Sequence, residues 1–238
     1  MSTVVLHNVV SLDGYVAGPD DDPGPIFDWY FNGDHHLTAQ DMADPAPGGL
    51  RVSRTSYDYV RPMWDAIGCT VIGRHLFDLT NGWEGHPPAG EHVVVVSHRP
   101  KPEGWHPEAA YNFRDDVTAA IATARELAGD GVVALAAGDV GGQALALGLV
   151  DEVAMDLAPV VLGSGKPFFG AGGTRHLLED PHVVIQGDRV LHLRFRVRRC
   201  GAGRRLRRAR VRRTGSRRGG RRVRRGSPGD RRGAGGRR

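Results

Sequence analysis

Cysteine is nearly absent from this sequence, with Cys69 and Cys200 the only two among 238 residues. They stand far apart, with neither a CxxC nor a Cys/His spacing, which argues against a disulfide scaffold and against a zinc module. A reducing compartment fits best. No apolar run approaches the length that crosses a bilayer, and the opening MSTVVLHNVV carries no basic segment ahead of its apolar residues. The expectation is a soluble, cytoplasmic protein with no membrane partner. No GxGxxG follows the first apolar run, which removes the main signature of the doubly wound dinucleotide fold. GSGKP at 163–167 fails as a P-loop, because Val160 stands where the first glycine belongs and Pro167 where a hydroxyl should hold magnesium. The histidines show no HExxH spacing; Asp34, His35 and His36 read as a solvated loop, and no metal is expected.

What is present divides the chain in two. Residues 199–238 hold 18 of the 30 arginines and one acid, a local net charge of +17, which leaves −12 for residues 1–198 out of an overall +5. The C-terminal stretch is nearly all Arg and Gly, with too few large apolar residues to offset its ordering entropy, so it reads as a disordered tail. Such a tail would bind polyanions non-specifically through counterion release. It has no aromatic residue on which bases could stack. Its residues are also those of GC-rich codons, as expected of out-of-frame translation past a natural stop, in which case it is no module at all. The expected division is a domain over 1–198 and a tail over 199–238.

Within the body, apolar runs alternate with helical patterns. VVLHNVVSLDGYVAG (4–18) opens with a β-branched run and turns at Asp13-Gly14; CTVIG (69–73), HVVVVSH (92–98) and VVALAAG (132–138) read as strands buried on both faces. DDVTAAIATARELAG (115–129) places Val117, Ile121, Ala124 and Leu127 at helical spacing, with an acidic start and Gly129 as a stop. A short helix is expected over 141–150, a strand over 151–163, and a closing hairpin around Gly187-Asp188. Buried strands joined by helices make an α/β sheet with an antiparallel edge. In VIGRHLFD (71–78) a strand runs directly into a turn that offers backbone N–H groups and a guanidinium together, a combination that suits a phosphate.

The order SLDG, GRHLFD, GWEGHPPAG, VVVVSHRP, AAGDVGGQALALGLVDEV and APVVLGSGKPFF resembles the dihydrofolate reductase-like family, which includes the reductase domain of bacterial riboflavin biosynthesis. The likeness covers about residues 2–198. It implies a central mixed sheet flanked by helices with antiparallel C-terminal edge strands, bound NADPH, and hydride transfer to a small pterin-, pyrimidine- or flavin-like heterocycle, commonly in a homodimer.

Three segments carry the cofactor under this resemblance. The turn Gly73-Arg74-His75-Leu76 would meet phosphate and ribose, with a helix N-terminus and a permanent cation as the physical reason. Ser97-His98-Arg99 would meet the adenosine 2′-phosphate and favour NADPH over NADH. Gly138, Asp139, Val140, Gly141 and Gln143 would lie on the pyrophosphate, where small residues permit close approach. Val10, late in the first strand, joins the same set. Where the family shows a Gly-Gly pair this chain reads Ala136-Ala137-Gly138, and a missing glycine that needed positive φ would impair cofactor affinity.

Reducing a C=N bond needs a proton as well as a hydride, and a carboxyl raised by desolvation in an apolar pocket is the usual source. Asp28 in PIFDWYF is the first catalytic candidate, because the segment resembles the helix start on which dihydrofolate reductases carry their acid. Trp29 behind it would wall the substrate ring. Asp28 could equally be a helix cap with Trp29 and Phe31 in the core. Asp13 of SLDG is the second carboxylate, better suited to shaping the turn into a lid-like loop, PDDDPGP. Two other readings stand beside the reductase: a nucleic-acid-associated protein that acts through its tail, and a catalytically silent family member that binds a nucleotide.

Overall fold

The structure is a computed structural model and describes residues 2–37, 49–173 and 175–198. These fall in one unit, Met1–Arg199. The Arg/Gly-rich stretch 199–238, with Cys200, lies outside the described residues.

Strand β1 (Val4–Ser11) is buried along most of its length. It turns at Gly14, φ +89°, into β2 (Tyr15–Ala17). A 3₁₀ segment, Gly24–Phe31, and the short strands β3 (His35–His36) and β4 (Arg51–Val52) lead to helix α1 (Arg54–Asp65). Then come β5 (Ile67–Gly73), α2 (Arg74–Thr80), β6 (His92–Val96), β7 (Tyr111–Arg114) and α3 (Val117–Ala128). The chain continues through β8 (Val132–Ala136), α4 (Asp139–Ala146), β9 (Glu152–Ala158) and β10 (Lys166–Pro167), and closes with β11 (Val183–Gly187) and β12 (Val190–Arg196).

The main sheet has eight strands in the order β11-β12-β9-β1-β8-β5-β6-β7. From β9 to β7 every neighbouring pair is parallel, and β12 and β11 add antiparallel at the other edge. The continuous apolar runs follow from this, because a parallel strand is covered on both faces. From β1 the chain skips one place to β5, steps outward to β6 and β7, and returns through α3 to insert β8 between β1 and β5. It then crosses through α4 to β9 on the far side of β1. The winding direction therefore reverses around β1 and β8, and crevices at such points, outside the carboxyl ends of the strands, are where open α/β sheets take ligands.

Helix α3 lies across the sheet as its spacing predicted. Its Asp116 carboxylate caps the Ala119 N–H at 2.8 Å, and Val117, Ala120, Ile121 and Ala124 bury against Leu6, Val71 and Leu135. Cys69 lies in the same core, where burial pushes its thiol up to about 12 and leaves it unreactive. The opposite face packs Val9 and Ala158 against Ile26, Trp29 and Val60.

Several boundaries differ from the sequence expectation: β5 starts two residues early, at Ile67, and β6 and β8 each end two residues early, at Val96 and Ala136. α4 starts two residues early and stops at Ala146, two residues before Gly148 at φ +70°. β9 ends before Pro159, which has no N–H for the ladder. Helix α1 lies in a stretch for which no element was expected from the sequence; Pro62 falls in its last turn, where it costs one hydrogen bond, and Ser53 caps the start.

Candidate nucleotide site at the carboxyl ends of the strands

The three segments expected to carry a cofactor follow the carboxyl ends of adjacent parallel strands, β8, β5 and β6. The first two touch: a Cβ added at Gly73 would lie 3.1 Å from Val140 Cγ2. Leu76 packs into the small core of Ile72 and Phe77, while His75 points outward. His98 and Gln143 are exposed, and Val10 is fully buried in the core beneath α3, so its side chain cannot reach a ligand.

The basic residues form a single cluster. Arg74 donates from Nε to Asp78 Oδ1 at 2.7 Å and from Nη1 to the Pro100 carbonyl at 3.2 Å and Ser97 Oγ at 3.5 Å. Arg99 donates from Nη2 to Asp78 Oδ2 at 2.6 Å. Ser97 folds the β6 exit: its hydroxyl donates to the Arg99 carbonyl at 2.7 Å and accepts from the Arg99 N–H at 2.9 Å. The Arg74 hydrogen bond, supported by Arg99, holds the Asp78 carboxyl below its usual range. Two guanidiniums therefore face one carboxylate. The sequence reading missed Asp78, although its position four residues after Arg74 on a helix is the standard spacing of an ion pair.

The glycine loop uses its small residues mostly for packing. Gly138 has φ +92° and open space where a Cβ would stand, whereas Ala136 and Ala137 have no positive φ. The alanines therefore do not strain this loop. A Cβ at Gly141 would fall 2.5 Å from Leu6 Cδ1, and one at Gly142 2.1 Å from the Phe169 carbonyl oxygen. The Gly138 N–H donates to the Phe168 carbonyl at 2.8 Å, and the Asp139 carboxylate accepts from the Ala171 N–H at 3.0 Å. The protein's own 168–171 loop thus occupies much of the room that close approach of a pyrophosphate would need, and Gly138 is the position left open.

Asp13 accepts from Ser11 Oγ at 2.6 Å and from the N–H groups of Gly163 at 2.7 Å and Leu162 at 3.1 Å. The Ser11 hydroxyl, joined by these amides, lowers its pKa, so it is an ionised brace between two loops. The PDDDPGP loop is tied down at Asp21, which lies 2.9 Å from His75 Nε2 and 3.5 Å from Lys166 Nζ. Asp28 departs from expectation. It sits inside the 3₁₀ segment, whose cap is Pro23, and its side chain is exposed instead of lying in an apolar pocket. Trp29 is 1% exposed, stacked on Tyr30 at 3.9 Å between ring centroids, and is a core residue in this arrangement; its Nε1 has no partner.

A second cluster was not anticipated. His7 Nε2 lies 2.9 Å from Asp156 Oδ2, His192 Nδ1 2.6 Å from Asp156 Oδ1, and His192 Nε2 3.0 Å from Ser56 Oγ. Burial alone would raise the Asp156 carboxyl, but the charge of His7 and the His192 hydrogen bond more than offset it and hold the group well below the usual range. The Ser–His–Asp order resembles a hydrolytic triad. Ser56 is closed off, however: a Cβ at Gly187 would stand 2.2 Å from its Oγ, and Ser56, His192 and Asp156 are all at most 1% exposed. Nothing could reach the hydroxyl, so the cluster is a clamp between β1, β9, β12 and α1.

An eight-stranded sheet with six parallel strands, an antiparallel edge and a crevice at the carboxyl ends of β8, β5 and β6 defines a dihydrofolate reductase-like α/β fold. Residues 85–193 match the model of the RibD C-terminal domain. Among solved structures, a protein of Shewanella sp. PV-4 assigned provisionally to riboflavin biosynthesis aligns with a TM-score of 0.59 at 20% identity, over 84% of this chain and 100% of its own. A diaminohydroxyphosphoribosylaminopyrimidine deaminase/5-amino-6-(5-phosphoribosylamino)uracil reductase of Thermotoga maritima aligns with a TM-score of 0.52 at 15% identity, over 83% of this chain and 57% of its own. The dihydrofolate reductase of Enterococcus faecalis, in complex with NADP(H), gives 0.50 at 13% identity, over 83% of this chain and 97% of its own. No curated protein matches the chain by sequence. The resemblance read from the motifs is therefore also found by the family model and by the fold comparisons. Among the described residues no helix is long and apolar enough to cross a membrane, and no group of His, Cys, Asp and Glu is arranged to hold a metal.

Proposed function

We propose that the chain is an NADPH-dependent oxidoreductase that reduces a small pterin-, pyrimidine- or flavin-like heterocycle, acting in the cytoplasm as a homodimer. One observation carries this reading: Arg74, Ser97, Arg99 and the open Gly138 all lie at the carboxyl ends of neighbouring parallel strands, beside the point where the winding reverses. The residues fit the cofactor. Arg74 and Arg99 are permanent cations with donors in fork geometry, suited to a phosphate monoester, and Gly138 leaves open space beside the exit of β8. The bound nicotinamide would supply the hydride. The chain's own part is to hold and orient the two ring systems and to exclude water, with Asp21 tethering the loop after β2 to His75 at the edge of the site.

The proton is assigned to water. Asp28 is exposed with no apolar pocket around it, and Asp13 is ionised and fully engaged by Ser11, Leu162 and Gly163, so neither is placed as a proton donor to a buried ring. We further take residues 1–198 as the working domain. A fluorescence titration with NADPH, followed by a turnover screen of pterins, flavins and aminopyrimidines, tests the reading; a chain cut after residue 198 should bind NADPH as the full chain does. Absence of NADPH binding by the full chain would refute it, and loss of binding on truncation would move the activity to the Arg-rich stretch.

A further inference from the structure

We propose that Asp78 is an internal competitor for the phosphate seat, and that it sets how strongly this site distinguishes a phosphorylated nucleotide from an unphosphorylated one. The proposal rests on the reductase reading for the identity of the nucleotide but not for the existence of the anion seat. Both oxygens of the Asp78 carboxylate are engaged, one by Arg74 and the other by Arg99, from a helix and from a loop that follow different strands. The remaining Arg74 contacts, to Ser97 Oγ and the Pro100 carbonyl, are neutral, so among the described residues Asp78 is the counter-charge of the cluster. The lowered Asp78 pKa keeps it ionised through the neutral range.

A phosphate monoester carries about −1.5 to −2 charges at pH 7 and seeks the same donors. Bringing it to the cluster means either displacing Asp78 from both guanidiniums or placing two anions side by side. Arg99 is the more exposed and less packed half: its side chain is 64% exposed, against 16% for Arg74, which also lies over the Phe77 ring at 5.4 Å. Arg99 can therefore swing from Asp78 to a ligand, while Arg74 stays fixed by its helix, Ser97 and Pro100. A ligand without the extra phosphate leaves the Arg74–Asp78–Arg99 bridge intact and owes nothing for breaking it. Asp78 thus lowers affinity for the phosphorylated nucleotide and leaves the unphosphorylated one alone.

The test is Asp78→Asn, which keeps the size and a carbonyl acceptor but removes the charge. NADPH affinity of the variant should rise about threefold to tenfold at low salt, and the gain should shrink as salt increases, with NADH affinity within about twofold of the parent. A fall in NADPH affinity would show that Asp78 positions the arginines, and an equal rise for both nucleotides would show a general charge effect; either overturns the proposal. A second readout does not depend on the reductase reading. Inorganic phosphate should shift the Arg74 and Arg99 Nε–H resonances in Asp78→Asn at concentrations that leave the parent unchanged. If neither nucleotide binds the parent or the variant but these shifts occur, the reductase reading fails and the anion seat stands. If phosphate shifts both proteins alike, Asp78 does not compete for the seat.

Discussion

Two carboxylates in this molecule each sit between two cationic or imidazole partners, and their surroundings give them opposite roles. Asp156 is buried, with His7 and His192 on its two oxygens and Ser56 beyond; Asp78 lies at the surface, with Arg74 and Arg99 on its two oxygens. In the interior Gly187 closes over Ser56 and His192, and Asp156 itself is buried, so the Asp156–His192–Ser56 contacts have no access to an outside partner. At the surface the pairs are screened and individually weak, about 0 to 1 kcal/mol each, so a ligand can compete for them. Similar chemistry holds a fold together in one place and leaves two guanidiniums open to exchange in the other, and the difference is solvent access.

The largest effect should come from breaking the interior cluster. Asp156→Asn leaves two imidazoles facing each other without their anion and should cost about 3 to 5 kcal/mol of stability, measured by denaturant unfolding. The surviving folded fraction should keep its preference between NADPH and NADH. Because the folded carboxyl is held below its unfolded value of about 3.9, its contribution is present above that pH and is lost as the pH falls from there toward the folded value. The parent should therefore lose stability steeply below about pH 4, and the Asn variant less so. A matching acid profile in both would remove Asp156 from this role.

A smaller effect is expected at the glycine loop. Gly142→Ala would drive a Cβ into the Phe169 carbonyl and should cost about 1 to 3 kcal/mol by forcing the 168–171 loop away. Ala137→Gly should change NADPH affinity by less than about twofold, since Ala137 has no strained φ to relieve. A large gain from this change would mean that the loop has a different conformation when it meets its ligand.

The smallest effect is predicted for Asp28→Asn. With protonation from water, turnover should stay within about threefold of the parent between pH 5 and 8; a fall of about 10² or more, easing at low pH, would restore Asp28 as the acid. Such a result would mean that a bound substrate covers a side chain that is exposed in the free protein.

The sheet was legible in the sequence because parallel strands announce themselves as short unbroken apolar runs, and CTVIG, HVVVVSH and VVALAAG all became neighbours in it. The segments proposed for the cofactor came from the resemblance, and each follows directly on such a run, which is why they lie side by side at the carboxyl ends of the strands. What could not be read depended on contacts between distant positions. His7, Ser56, Asp156 and His192 meet only because β1, β9 and β12 are adjacent and α1 packs over them, and nothing local marks them. Asp28 was singled out because PIFDWYF resembles the helix start that carries the acid in dihydrofolate reductases, yet a 3₁₀ turn directs neighbours to different sides, burying Trp29 and exposing Asp28. Val10, an apolar residue late in β1, likewise turns its side chain into the core.

The central claim is that Arg74 and Arg99 form the seat of a cofactor phosphate. The most direct test is a paired fluorescence titration of the parent and Arg99→Ala with NADPH and NADH at one salt concentration. Loss of the charge-assisted bond should weaken NADPH by about 1.5 to 3 kcal/mol and leave NADH nearly unchanged. Equal losses for the two cofactors, or none for either, would contradict the account.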